Sequence, residues 1–143
     1  MKPCAFCRTL VGEMPASIVY QDALVSAFLD IRPVNPGHLL VVPNEHATDL
    51  EEVPLATAHA MMGIAQKLSQ TLRRAPFLCE GVNLFLANGK AAGQEVAHVH
   101  LHVIPRFAGD GFGLRFGADY GILSTRDELD RIASAIQEAM ARG

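Results

Sequence analysis

Three histidines occupy alternate positions in the chain, at His98, His100 and His102. The residues between them are apolar, which is the period-two pattern of a half-buried β-strand. On such a strand the three imidazoles project from one face. Because an imidazole can be a nucleophile, a proton carrier or a metal ligand near neutral pH, the pattern predicts that reactive chemistry is concentrated here.

Ordinary hydrogen-bonded polar residues and a metal site are the two simpler interpretations of these histidines. Three alternating imidazoles are hard to account for as ordinary residues, because each one must be solvated or hydrogen-bonded. Alternate strand residues lie about 6.8 Å apart, which separates His98 from His102 by about 13 Å. Neighbouring pairs can share an ion at ligand distances of about 2.0–2.1 Å, but all three cannot. At least one histidine is left for another role.

Two cysteines have the spacing Cys4-x-x-Cys7. This spacing is typical of two of the four ligands of a structural zinc site, and also of redox-active cysteine pairs. Redox pairs of this kind usually follow a strand in a βαβ unit, and no such pattern surrounds these residues. The sequence therefore favours zinc, with a redox protein as the alternative. We expect the third cysteine, Cys79, to be a buried thiol.

Helices and strands with clear patterns must position these residues. Apolar residues at helical spacing predict one helix over 55–74 and a second over about 126–141, where Thr125 and Glu128 form a capping-box pattern. Strand-like runs occur at 17–20, 24–29, 38–42, 82–87 and 97–105. Since strands outnumber helices and do not alternate strictly with them, the pattern favours an α+β architecture.

The composition limits the class of protein. The chain has 143 residues, which predicts a single domain over 1–143. Its net charge of -3 does not indicate the basic surface that binds nucleic acid or an anionic membrane. No apolar run approaches the roughly 20 residues of a membrane span. The start lacks an apolar signal segment, and three cysteines do not make a disulfide framework. We therefore expect a cytoplasmic protein.

Several fragments of the chain, in this order and spacing, resemble the histidine triad (HIT) family. The family's motif is His-x-His-x-His followed by two apolar residues. The matching fragments are Cys4-Ala5-Phe6-Cys7, Phe28-Leu29-Asp30-Ile31-Arg32-Pro33, Pro36-Gly37-His38, Val41-Val42-Pro43-Asn44-Glu45-His46, Asn88-Gly89, Gly93-Gln94 and His98-Val99-His100-Leu101-His102-Val103-Ile104-Pro105-Arg106.

The resemblance implies a fold and a reaction. The fold is a five-stranded antiparallel sheet with two main helices, usually paired as a homodimer. The reaction is hydrolysis or transfer at the α-phosphorus of a nucleotide. His100 would attack phosphorus and form a nucleotidyl-histidine intermediate. His102 would contact the phosphate oxygens and His98 would help to hold the site, while a backbone carbonyl close to His38 would fix the tautomer of His100.

The resemblance also implies the residues that bind substrate. Asp30 matches a carboxylate that binds ribose, and Phe28 with Ile31 would offer apolar surface to the base. Asn88 and Gln94 match positions near the phosphate and the leaving group, where neutral amides can donate hydrogen bonds to developing charge. For Asn88, simple turn chemistry with the following glycine is an equal alternative.

Relatives with the N-terminal cysteine pair often bind zinc through two further histidines. These positions map to Cys4, Cys7, His46 and His98, the Cys₂His₂ type of a closed structural site. One departure is Glu95, which stands where many relatives carry a small hydroxyl residue. A carboxylate there would repel phosphate or assist an amine leaving group.

The sequence therefore predicts a hydrolase of the HIT type that acts on AMP- or GMP-type nucleotides. The spacing is closer to the purine nucleoside phosphoramidase (Hint-type) branch than to the diadenosine polyphosphate hydrolases, which are the alternative. A nucleotide-binding module with vestigial catalysis is the alternative from a different class.

Overall fold

The computed structural model describes residues 4–143, and its centre is a five-stranded antiparallel sheet. The strand order is β1-β2-β3-β5-β4, which confirms the predicted sheet. Each strand lies within two residues of a predicted run except at the start of the last one. The bounds are β1 Ile18–Gln21, β2 Val25–Leu29, β3 Leu39–Pro43, β4 Gly81–Phe85 and β5 Leu101–Arg106.

Two helices cover the sheet, and they pack on opposite faces. Helix α2 (Leu55–Leu72) buries Met61, Ala65 and Leu72 against one face, in a core that includes alternate residues of β2, β3 and β5. The short helix α1 (Ala5–Leu10) packs Phe6 and Leu10 against a second cluster of Phe28, Leu40 and Val42. Both faces of the central strands are therefore covered, which explains their nearly continuous burial.

The predicted helices are present, and α1 is an addition. Helix α2 and helix α3 (Arg126–Arg142) match the predicted ranges closely. Thr125 caps α3 as predicted, because its hydroxyl accepts a hydrogen bond from the Glu128 N–H at 3.2 Å. Helix α1 has only six residues, too few for a helical period to show in the sequence.

The histidine segment differs from its prediction. The alternating pattern predicts a strand over 97–105, but β5 begins at Leu101, and a bend precedes it at 96–98. The bend is fixed by backbone bonds from His98 N–H to the Val96 carbonyl and from Val99 N–H to the Ala47 carbonyl, both 2.8 Å. The three histidines therefore do not form one row on a strand face.

The turn between β2 and β3 is shaped by Gly37. Its φ of +92° lies in the left-handed region that favours glycine. A Cβ at this position would also lie only 3.0 Å from a methyl group of Leu72 in α2. Because His38 follows directly, the backbone conformation of this glycine fixes the position of the His38 side chain just before β3.

The chain divides into two compact units, one ending at Phe112 and one comprising Gly113–Gly143. The second unit contains α3 and a stacked pair of rings, Phe116 and Tyr120, whose centroids are 3.7 Å apart. The single domain expected over 1–143 stays a prediction. Among the described residues, no helix is long and apolar enough to cross a membrane. Residues 1–3, which bear on the predicted absence of a signal segment, lie outside the described part.

Candidate active site

A row of residues across the sheet forms the floor of a cavity of about 620 Å³. Phe28 on β2 pairs with Leu40 on β3, Leu40 pairs with His102 on β5, and His102 pairs with Phe85 on β4. Directly paired residues lie on the same face of a sheet, so these four side chains point the same way. This is the face that α1 covers.

Helix α1 and several loops complete the cavity wall. The residues that line the whole cavity, including its floor, are Ala5, Phe6, Thr9, Met14, Pro15, Ala16, Phe28, Leu29, Asp30, Ile31, Arg32, His38, Leu40, Phe85, Ala87, Gly93, Glu95, Val96, His100 and His102. The size and the mixture of apolar and polar side chains suit a small organic ligand that carries polar groups.

His100 is held in one tautomer by the backbone. Its Nδ1–H donates to the carbonyl of His98 at 2.8 Å, so its Nε2 carries the lone pair. The side chain is only 7% exposed and lines the cavity. The expected acceptor was a carbonyl close to His38, and that detail is wrong. The bend at 96–98 instead brings the His98 carbonyl to the ring.

His38 and His102 form a chain of directed hydrogen bonds. The Val34 N–H donates to His38 Nδ1 at 3.1 Å, which places the His38 proton on Nε2. That proton points to His102 Nδ1 at 2.9 Å, and the proton of His102 is therefore on Nε2. His102 can donate this N–H to a ligand in the cavity, beside His100, whose ring centroid lies 4.9 Å away.

Burial keeps both of these histidines neutral. The pKa of His102 is lowered to about 4, chiefly by desolvation and further by the neighbouring His100 and His38, while the Asp30 carboxylate opposes the shift. Desolvation also lowers the pKa of His38, although the Asp30 carboxylate opposes this shift. Near pH 7 the pair supplies a hydrogen-bond donor without a positive charge.

A second cluster contains Cys4, Cys7, His46 and His98, whose ligand atoms all lie within 4.8 Å of one another. The sulfurs face ring nitrogens: Cys4 Sγ lies 3.4 Å from His98 Nδ1, and Cys7 Sγ lies 3.3 Å from His46 Nδ1. In a tetrahedral zinc site with ordinary bond lengths, sulfur and nitrogen ligands are about 3.6 Å apart. The four residues therefore fit a zinc ion.

A match to known proteins identifies the family of this fold. A model of the family described as HIT domain matches residues 11–109, more than half of the chain.

The chain belongs to the HIT family.

The fold of this HIT protein agrees with solved structures. It superimposes on a HIT family protein from Bacillus anthracis with a TM-score of 0.87 at 36% identity, covering 96% of this chain and 97% of the other. A Zn-bound histidine triad family protein from Mycobacterium smegmatis matches with a TM-score of 0.74 at 36% identity, covering 96% of each chain.

A relative with a named activity is also similar. The chain is 35% identical over 114 residues to an adenosine 5'-monophosphoramidase from Schizosaccharomyces pombe, which covers 80% of this chain and 81% of the relative.

The HIT cavity brings together most of the predicted substrate-binding residues. Phe28 and Asp30 line it, and Ile31 lines it while remaining 89% exposed. Asp30 Oδ1 accepts the Arg32 N–H at 2.8 Å, which holds the carboxylate in a short turn. Its other oxygen lies 3.6 Å from His38 Nε2.

Asn88 and Gln94 are not among the residues that line the cavity. The Gln94 amide donates to the carbonyls of Thr48 and Val96 and accepts from the Gly89 N–H. The Asn88 amide accepts the Leu50 N–H at 2.7 Å and donates to Glu51 at 2.9 Å. Both amides thus bond neighbouring loops, and neither lies in the cavity wall, where the resemblance implies contact with the phosphate and the leaving group.

Phe6 is a site residue that the sequence pattern did not reveal. Its ring contacts three others edge-on, with centroid distances of 5.3 Å to His100, 5.5 Å to Phe28 and 5.8 Å to His98. It lies between Cys4 and Cys7, so the same turn of α1 carries ligands on one side and cavity wall on the other. The only sequence signal was an aromatic residue within the CxxC spacing.

Proposed function

We propose that this HIT protein hydrolyses purine nucleoside phosphoramidates at the α-phosphorus, with His100 as the nucleophile. The observation that supports this most directly is the hydrogen bond from His100 Nδ1–H to the His98 carbonyl. It leaves the Nε2 lone pair available in the cavity, which is the state that a nucleophilic imidazole requires. A similar protein from S. pombe is an adenosine 5'-monophosphoramidase.

In the first step, His100 Nε2 attacks phosphorus and the bond from phosphorus to the leaving nitrogen breaks. The leaving nitrogen takes up a proton from solvent and departs as the amine, and the proton that water loses in the second step returns to solvent. The new bond joins the nucleotide to Nε2, while Nδ1 keeps its proton and its bond to the His98 carbonyl. That carbonyl stabilises the positive charge that develops on the ring.

In the second step, a water oxygen attacks phosphorus on the side opposite His100. The bond from phosphorus to Nε2 breaks, the water loses a proton and nucleoside monophosphate leaves. The N–H at His102 Nε2 donates to a phosphate oxygen in both steps. Because His38 donates to the other nitrogen of His102, this donor is aimed before the substrate binds.

We propose that the cavity holds the nucleoside part of the nucleotide beside His100. Asp30, which lies close to His38, accepts hydrogen bonds from the ribose hydroxyls. The base packs against the apolar side chains of Phe28, Phe6 and Ile31, which also line the cavity. The expectations of a cytoplasmic location and of no nucleic-acid or membrane partner stay predictions.

We propose that Cys4, Cys7, His46 and His98 hold a structural zinc ion. A similar protein from M. smegmatis is Zn-bound. His98 donates its Nε2–H to the Pro43 carbonyl at 2.9 Å, which leaves Nδ1 free for a metal, as is usual for ligand histidines. The ion would fix α1, and with it Phe6, to the loop that carries His98 and His100. This supports zinc over the redox alternative.

We also propose a homodimer formed through β4 and α2. Strand β4 is an edge strand, and an edge presents unpaired backbone groups that proteins usually cover. On this strand Leu84 is 42% exposed, and Met62 on the neighbouring α2 is 54% exposed. Light scattering should give a mass twice the 15.4 kDa of the chain, and Leu84→Asp should reduce it to that of a monomer.

The mechanism is tested by trapping the intermediate. During turnover of adenosine 5'-phosphoramidate, mass spectrometry should find a nucleotidyl group on His100. His100→Ala should lower turnover by at least about 10³-fold while nucleotide affinity changes little, because the bond-forming atom is lost and the cavity remains.

Two results would count against the proposal. Near-normal turnover by His100→Ala would exclude His100 as nucleophile. Nucleotide binding without turnover of phosphoramidates, diadenosine polyphosphates or sugar nucleotides would favour the binding module instead.

A further inference from the structure

Two oppositely charged side chains meet at the edge of the cavity. Arg32 follows β2 and Glu95 lies five residues before His100, and both line the cavity. Arg32 Nη2 lies 3.4 Å from Glu95 Oε2. The side chains are 82% and 78% exposed, so solvent screens the pair and it opens at little cost. Its charges therefore stay available to a ligand.

The charge around the cavity does not suit a strongly anionic ligand. Among the described residues that line it, Arg32 alone carries a permanent positive charge, and Glu95 offsets that charge. Asp30 adds a negative charge. His38 and His102 add no positive charge near pH 7, because burial lowers the pKa of each ring. A polyphosphate would therefore meet one cation, whose attraction the neighbouring Glu95 carboxylate offsets.

We propose that Arg32 and Glu95 select the leaving group of the substrate. With Glu95 paired to Arg32, the site disfavours leaving groups that carry several negative charges, such as the nucleotide released from a dinucleoside polyphosphate. It favours neutral or cationic amines released from phosphoramidates. The inference deepens the proposed function and rests on it. Each charge acts through solvent, so it changes relative affinity by about threefold to tenfold.

The test compares the affinities of two ligands in the full-length chain. A His100→Ala background prevents turnover, and the ligands are adenosine 5'-phosphoramidate and diadenosine tetraphosphate. Glu95→Gln removes the charge and keeps the shape, and should shift the affinity ratio by about threefold to tenfold toward the tetraphosphate at low salt. Arg32→Gln should shift the ratio in the opposite direction. Both shifts should shrink at high salt.

Two further variants make the test strict. Glu45→Gln removes an exposed carboxylate that lies in the same compact unit as the cavity and does not line it, and should leave the ratio unchanged. Arg32→Gln combined with Glu95→Gln restores the original net charge, and should return the ratio to within twofold of its starting value.

The proposal is overturned if Glu95→Gln changes the ratio by less than twofold, or if the double variant behaves like Glu95→Gln alone. These affinities do not depend on turnover. Failure of the proposed function would show separately, as the absence of a nucleotidyl group on His100 in the intact enzyme.

Discussion

Within residues 4–143, two clusters combine histidines with a second type of metal-binding side chain. Cys4, Cys7, His46 and His98 form one, and Asp30, His38 and His102 form the other. In each cluster the ligand atoms lie within 4.8 Å of one another. By residue type and distance alone, either cluster can accommodate a metal ion.

The hydrogen bonds of the rings distinguish the clusters. In the first, the Pro43 carbonyl accepts the Nε2–H of His98, and the free Nδ1 faces the sulfurs. In the second, the Val34 N–H occupies His38 Nδ1, so the Nε2 that faces His102 carries a proton. A protonated nitrogen cannot bind a metal. Backbone groups thus prepare one cluster for a metal and the other for donating hydrogen bonds.

His98 connects the two regions. Its ring belongs to the first cluster, and its carbonyl accepts the Nδ1–H of the proposed nucleophile His100. A substitution that moves His98 should therefore also disturb His100, because it moves the carbonyl that His100 bonds. Substitutions around His38 should leave the cysteines unaffected. Three substitutions can break or sharpen this asymmetry.

The largest effect should come from removing a sulfur of the first cluster. We expect Cys7→Ala to lower zinc affinity by at least about 100-fold, because one of four ligands is lost. Competition with a chelator and elemental analysis of the purified protein measure this. Cys79→Ala is the matched control and should keep its zinc, since Cys79 Sγ instead contacts the Gly81 carbonyl. Equal zinc content in both variants would contradict the assignment.

A smaller effect should follow from breaking the chain of bonds in the second cluster. His38→Phe removes the donor to His102 Nδ1, and we expect turnover of the phosphoramidate to fall by about 10- to 100-fold, as for other residues that orient a functional histidine. His38→Gln restores a donor and should recover part of the loss.

Zinc content should be unchanged in both His38 variants. Loss of zinc in either one would show that the clusters are not independent. Equal turnover by His38→Phe and the unmodified protein would show that His102 needs no partner.

The smallest effect should come from Gln94, whose amide bonds the carbonyls of Thr48 and Val96, each two residues from a zinc ligand. Gln94→Glu keeps the size but loses both donated bonds. We expect the free energy of unfolding to fall by about 1–3 kcal/mol and zinc affinity by about 10-fold, measured by denaturant titration and chelator competition. At saturating zinc, turnover should change less than twofold. A large loss of turnover with normal stability would instead support the catalytic role that the sequence predicts for Gln94.

Much of the secondary structure could be predicted from the sequence, because helices, caps and strands depend on residues that are close together along the chain. The helical period over 55–74, the cap at Thr125 and the positions of the strand-like runs all appeared in the structure. Helix α1 was not predicted, because six residues are too few to show a helical period. The bend before β5 was not predicted, because one of the hydrogen bonds that fix it joins the Val99 N–H to the carbonyl of Ala47, which is distant in the sequence.

For the site, residue types and spacing singled out the histidines and cysteines that the structure brings together, but not the surroundings of every neighbour. Gln94 and Asn88 looked like phosphate ligands, because an amide can bond a phosphate or a backbone group equally well. Phe6, Phe85 and Arg32 gave little signal, since apolar and charged residues of this kind occur throughout a chain. Their place in the site depends on strand register and loop packing.

The sequence by itself determined the chemical inventory: three alternating histidines, a CxxC pair, and a series of fragments whose order and spacing resemble the HIT family. These are local properties, fixed by residue type and spacing. Only the tertiary structure decided which imidazole faces sulfur and which faces the cavity. That choice depends on carbonyl and N–H groups of Pro43, Val34 and His98, and every residue except proline carries the same two groups, so no sequence pattern reveals which will meet a given ring.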